Sequence, residues 1–333
     1  DISMSAWFFF LFGKTERIIR TGMMGVGELY MAERAGGAWL AVGALGIWGT
    51  RKHLLAVWRK FADNSAEIDD SQEPMRYRTA VSGLILGLLG LTIFSLQAGM
   101  SVWGIVGFFV IFLVMAVGVT RVRAEFGPPS HEILALDPAR LLSVTFGPRL
   151  VGTNNLTIIS FYYWLNRLNV SHPMPNQLEA FKIAERAHIN SHHLIWVMML
   201  ATIIGAIASF WAFLHLMYKY GALSVHGYII GIGQEVFSRR LERWINNPTS
   251  IDLAGTQSMG IGAIFTSTLY ALRLRFMWWP FHPIGYVMTA ATWGGLADFW
   301  FSVFLGWLVK FSLLKFFGLK AYQQAVPFFL GLV

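Results

Sequence analysis

These 333 residues predict an all-α fold: a polytopic transmembrane helical bundle with broken or re-entrant helices and interfacial amphipathic helices. Three observations predict it. Hydrophobic residues make up 55% of the chain and charged residues 13%, where a soluble domain carries about a quarter charged. The apolar residues gather into runs long enough to cross a hydrocarbon core of roughly 30 Å at about 1.5 Å per residue. Glycine and proline interrupt several of those runs, and irregular backbone at membrane depth is tolerated only where protein or a wet cavity covers it. The net charge of +8 would suggest nucleic acid in a soluble chain. Here the basic residues flank apolar runs, so membrane anchoring explains them and no nucleic-acid partner is expected. Cysteine is absent, which excludes disulfides, thiolate metal sites and cysteine nucleophiles.

Taken in order, SAWFFFLF at 5–12 is too short to span by itself and reads as the tail of a span or an interfacial helix. The glycine-rich TGMMGVGELYMAERAGG follows, carrying Glu28, and reads as a surface loop or as a re-entrant, broken helix. Residues 35–50 form the first clear span. Residues 51–79 mix Lys and Arg with acids and read as a cytoplasmic loop. Ala80–Leu96 and Val102–Thr120 are two spans joined by the short, uncharged QAGMS, hence a hairpin. RVRAEFGPP then places Arg121, Arg123 and Glu125 at the mouth of the second span, either as a positive-inside anchor or as an ion-coupling cluster.

Residues 121–193 read as a polar insert with amphipathic helices. TNNLTIISFYYWLNRL within it suits either a half-span or a helix lying in the interface. After Pro175 a helix runs on through NQLEAFKIAERAHINSHHL, so His188 and His192, spaced i, i+4, share one face, as a weak metal pair or a structural one. Leu194–Leu216 is a strong span. HGYIIGIGQ and FSRRLERWINNP read as a short span and an amphipathic helix, and Met259–Leu272 as a further apolar segment.

The most telling stretch is Trp278–Lys310. Pro280 and Pro283 each fix φ and lack an N–H, so its first residues form a rigid aromatic turn around His282, from which a spanning helix starts. Asp298 lies inside that helix, and an ionisable group at such depth costs roughly 2.5 to 3.5 kcal/mol on insertion scales and faces a bundle interior or a wet cavity. The hydropathy count comes to six or seven spans in one integral membrane domain, 1–333. The chain starts at Asp1 and stops within an apolar run, which reads as a fragment of a longer protein. No phosphate-binding loop, nucleophile elbow or HExxH zinc motif is present, so an enzyme is not expected, nor is a cofactor.

The order of RVRAEFGPP, MPNQLEAF, WWPFHPIGY and PFFLGL resembles an uncharacterised family of large bacterial polytopic membrane proteins, itself distantly similar to oligopeptide transporters. The resemblance covers most of the chain, which matches the C-terminal half of such a protein, and WPFHPIGY is its most specific part. It implies a multi-pass protein of the bacterial inner membrane and cation-coupled transport of small peptides or metal chelates. The NPG motif associated with that superfamily is absent, because Thr249 follows Asn247 and Pro248. Candidate residues for a substrate or ion pathway are Asp298, Glu125, Arg123, His282 and Glu28. The expected partners are the lipid bilayer, the missing N-terminal half, and a second copy or other membrane subunits. A non-catalytic accessory subunit of a larger membrane complex is the alternative reading. A third, an intramembrane enzyme, would use His188 and His192 as metal ligands.

Overall fold

The computed structural model describes residues 1–25, 30–63, 68–71, 73–127, 137–166, 172–221, 231–290 and 299–330. The described residues are helical or irregular and contain no strand. Four helices are long and apolar enough to cross a membrane: Tyr77–Gln97, Val102–Phe126, Ser191–Tyr220 and the run Trp300–Phe328. The hydropathy count also included 35–50 and 259–272. Both lie in long helices, but neither helix is as apolar as those four. The chain forms two compact units, the first comprising Asp1–Val42, Phe126–Leu136 and Gln257–Val333, the second Gly43–Glu125 and Asp137–Thr256.

In the first unit, α1 (Ile2–Met24) is one helix that runs through the charged GKTERIIR and stops at Gly25, whose left-handed φ of 68° lets its N–H reach the Thr21 carbonyl. The short apolar run at its start is therefore the buried end of a longer helix, with Ser5, Ala6 and Phe9 in the core. α2 (Met31–Gly49) begins inside the stretch expected to be irregular. Arg34 on α2 holds Glu16 on α1 through two parallel hydrogen bonds of 2.7 and 2.8 Å. α2 meets a later helix, Leu253–Arg275, at two glycines: a methyl group on Gly37 would lie 1.8 Å from the Met259 carbonyl oxygen, and one on Gly262 would lie 1.9 Å from that of Arg34.

The aromatic turn ends in the helix Pro283–Ala290, which packs along α1 so closely that a methyl group on Gly285 would meet Ser5 at 2.4 Å. Trp300–Ser312 lies on the other side of α1. It leads through a π-helical stretch at Leu313–Phe317 into Gly318–Leu330, a helix that accommodates Pro327 inside it. Pro327 thus sits within the last span rather than opening a new one.

In the second unit, the stretch 51–79, expected to be a loop, holds the amphipathic helix α3 (Arg51–Asp63). Within the part that is not helical, backbone and side-chain hydrogen bonds from Ser71 keep the Asp69 carboxyl below its ordinary value. The hairpin is as expected: α4 (Tyr77–Gln97) and α5 (Val102–Phe126) join through Ala98–Ser101, where Gly99 takes a φ of 102°. α5 stops at Gly127, also left-handed at 64°.

The helices that follow are short: α6 (Pro138–Phe146), α7 (Pro148–Val151), α8 (Thr153–Phe161), α9 (Tyr163–Asn166) and α10 (Pro173–Arg186). Their breaks have local causes. Gly147 and Gly152 take φ of 78° and 82°, and Pro148 follows the first of them. Leu141, Leu142, Leu156 and Ile159 from α6 and α8 are fully buried, as are Phe108, Met115, Val119 and Val122 of α5. These side chains are the core of the unit. α11 (Ser191–Tyr220) is long, apolar and buried nowhere along its length. A π-helical stretch, Gln234–Leu241, then runs into α12 (Glu242–Asn246), and we number the remaining helices α13 (Leu253–Arg275), α14 (Pro283–Ala290), α15 (Trp300–Ser312) and α16 (Gly318–Leu330).

Candidate functional site

α5 serves as a ruler for the short helices packed on it. Phe146 meets Trp103 near the hairpin tip, with ring centroids 5.9 Å apart, while Leu142 approaches Gly107 to within 3.1 Å of where its Cβ would lie. The spacing is four residues on each helix, so α6 runs antiparallel to α5. The α6 N-terminus, with Asp137, therefore lies beyond the Leu142–Gly107 contact, on the side away from the hairpin tip.

The return segment follows α5 in the other direction. Asn155 accepts from the Ser101 N–H at 2.8 Å, Tyr162 shares a 2.8 Å hydrogen bond with Ser95 and stacks on Phe108, His172 meets Phe112, and Glu179 binds Arg123. Residues 153–166 thus pack along α5. α6 and α10 both begin with a proline at the first helical position, after Asp137 and His172. The α10 N-terminus, with its partial positive charge, therefore starts beside Phe112.

Asp137 has two partners there. Its Oδ1 accepts from the Arg140 N–H at 2.8 Å, capping α6, and its Oδ2 accepts from Arg240 Nη1 at 2.5 Å. Arg240 is carried by the π-helical stretch, and such local widening of a helix is frequent at functional sites. Its guanidinium lies over the rings of Tyr163 and Trp244, at 5.3 and 5.0 Å from their centroids. The Asp137 and Arg240 side chains are only 11% and 19% exposed. Arg240 Nε and Nη2 are buried without a hydrogen-bond partner among the described residues. A buried donor without an acceptor costs about 1 to 3 kcal/mol, so the arrangement holds polar capacity that the protein itself does not use.

The residues singled out from the sequence fall elsewhere. Asp298 and Glu28 lie outside the described residues. Glu125 accepts from Arg121 one turn earlier at 2.6 Å, and Arg123 binds Glu179, so RVRAEF ties the end of α5 to α10. His282 is buried: its backbone N–H donates to Ser5 Oγ at 2.7 Å, and its Nδ1 accepts from the Ile284 N–H at 3.1 Å, which caps α14. His188 and His192 do not share a helix face. α10 stops at Arg186 in a Schellman turn, with the Ile189 N–H on the Ala184 carbonyl and His188 left-handed at φ 54°, and α11 restarts under an Asn190 cap. His192 Nδ1 instead lies 2.9 Å from the Pro74 carbonyl. No group of three metal-ligating side chains occurs among the described residues. Asp137 and Arg240 went unnoticed in the sequence because they are 103 residues apart. The signal that would have found Asp137 is an Asp-Pro pair placed ahead of an apolar helical run.

Four helices long and apolar enough to cross a membrane define the class: a multi-pass helical membrane protein. Over its whole length, residues 1–333, the chain belongs to a family described as a family of unknown function (DUF6785). No curated protein and no solved structure matches it.

Proposed function

We propose that the protein is part of a secondary transporter that moves a small peptide or metal chelate across a bacterial inner membrane, coupled to a cation. The observation that supports this is a short helix, α6, that starts at the buried Asp137–Arg240 pair. Secondary transporters bind substrate near the midplane, where discontinuous helices turn their N-termini toward anionic groups. In this reading Arg240 and the N-terminus of α6 orient the substrate, and Tyr163 and Trp244 shield the guanidinium from lipid. Asp298 is the coupling carboxylate by the cost of placing an acid in an apolar run of sequence. Arg123, Glu125, His282 and Glu28 serve packing or gating.

The test is uptake by the intact protein in proteoliposomes, using labelled tripeptides and ferric citrate under imposed proton or sodium gradients. Gradient-dependent uptake that is lost in Asp298→Asn and Arg240→Gln supports the reading. Absence of uptake of either substrate class under both gradients removes it.

A second reading, a non-catalytic subunit of a larger membrane complex, is favoured by α11, whose 30 residues leave all sides uncovered. Native gels after mild solubilisation separate the two. Foreign subunits in fixed ratio support a scaffold, and a lone monomer or homodimer supports a carrier.

A further inference from the structure

Arg240 offers a specific shape as well as a charge. A guanidinium is planar and presents its donors in fixed forks, each matched to the two oxygens of a carboxylate. Nη1 is committed to Asp137. Nε and Nη2 lie together on another edge of the plane, and both are buried and unpartnered. The aromatic rings of Tyr163 and Trp244 lie over the guanidinium, leaving its in-plane edge as the route by which a ligand would meet those two donors. Asp137 neutralises the guanidinium, and the α6 N-terminus that Asp137 caps adds a partial positive charge beside it. One anionic group set against the Nε–Nη2 edge would satisfy both donors.

We propose that the Nε–Nη2 edge of Arg240 is the receptor for a single carboxylate of a water-soluble solute, such as a peptide C-terminus or a carboxylate chelator, held side-on. This deepens the transport reading by naming the group recognised, and it rests on that reading only for the movement of the solute. A lipid phosphate shares the chemistry, and the lipid arm of the experiment separates the two sources.

The experiment is calorimetric titration of the intact protein in phosphatidylcholine nanodiscs with four probes: tri-alanine, its C-terminal amide, citrate and inorganic phosphate. Tri-alanine or citrate is expected to bind, with the amide at least tenfold weaker than the free peptide where tri-alanine is the ligand. Arg240→Lys keeps a charge for Asp137 but has no fork, and is expected to weaken binding at least tenfold. The double variant Asp137→Asn with Arg240→Gln leaves no unpaired charge and is expected to abolish binding while the protein stays folded, which keeps the test decisive if Arg240→Lys misfolds. The proposal is overturned if no carboxylate probe binds, if Arg240→Lys or the folded double variant binds like wild type, or if the amide matches the free peptide. It is also overturned if replacing half the lipid with phosphatidylglycerol abolishes binding, because the edge would then belong to a lipid phosphate. Binding without uptake would leave this site standing and remove the transport reading alone.

Discussion

Replacing Gly37 with alanine tests the closest helix crossing in the first unit. The new Cβ would lie 1.8 Å from the Met259 carbonyl oxygen, 2.6 Å from its carbonyl carbon and 2.9 Å from its Cα. All three are backbone atoms, so no side chain can rotate away. An ordinary contact needs about 3.4 Å or more, and α2 and α13 must part by roughly 1.5 Å to provide it. Gly262 opposes the Arg34 carbonyl across the same crossing, so separation also loosens the backbone that carries the Arg34–Glu16 pair. Over-packing of this kind costs typically 1 to 3 kcal/mol, and a backbone-on-backbone clash belongs at the upper end, about 3 kcal/mol. In a chain of this size that is a drop of roughly 4 °C in Tm. Thermal unfolding of the intact protein in nanodiscs reads it, with Gly83→Ala on α4 as the control. Gly83 has nothing within 4 Å of its would-be Cβ, so alanine there is expected to be neutral or stabilising by up to about 1 kcal/mol through lower backbone entropy. Equal melting of Gly37→Ala and wild type would refute the crossing.

Three further outcomes follow from the second unit and the aromatic turn. Asp137→Asn leaves Arg240 buried without its counter-ion and is expected to cost about 3 to 5 kcal/mol, whereas the double variant with Arg240→Gln recovers most of that loss; a melting cycle over the four proteins measures the coupling. Asn155→Ala strips partners from the Ser101 N–H and Val151 carbonyl at the hairpin tip and is expected to cost about 1 to 3 kcal/mol, read as a lower Tm and faster amide exchange at Ser101. His282→Ala removes the acceptor for the Ile284 N–H and is expected to cost about 1 kcal/mol of stability without changing the substrate profile, so a changed profile would return His282 to the pathway.

How much was readable in advance depended on whether the deciding interaction was local. The α4–α5 hairpin was legible because two apolar runs and a five-residue uncharged link leave one arrangement in a bilayer. The turn at WWPFHPIGY was legible because its prolines act on their own backbone. The break between His188 and His192 was not, although the signal is local: Asn190 is a good helix cap, and the histidine spacing concealed it. The 51–79 stretch read as a loop because its charge masked the amphipathic pattern of α3.

By itself the sequence determined that the chain is helical, crosses a membrane several times and folds its fourth and fifth helices into a hairpin. Hydropathy and proline chemistry act within a few residues of where they are written. Only the tertiary structure decided that Asp137 is buried at the start of α6, that Arg240 is its partner, and that two of the guanidinium's donors have no partner among the described residues. An ion pair 103 residues apart in the chain exists only once the helices that carry its two sides have packed.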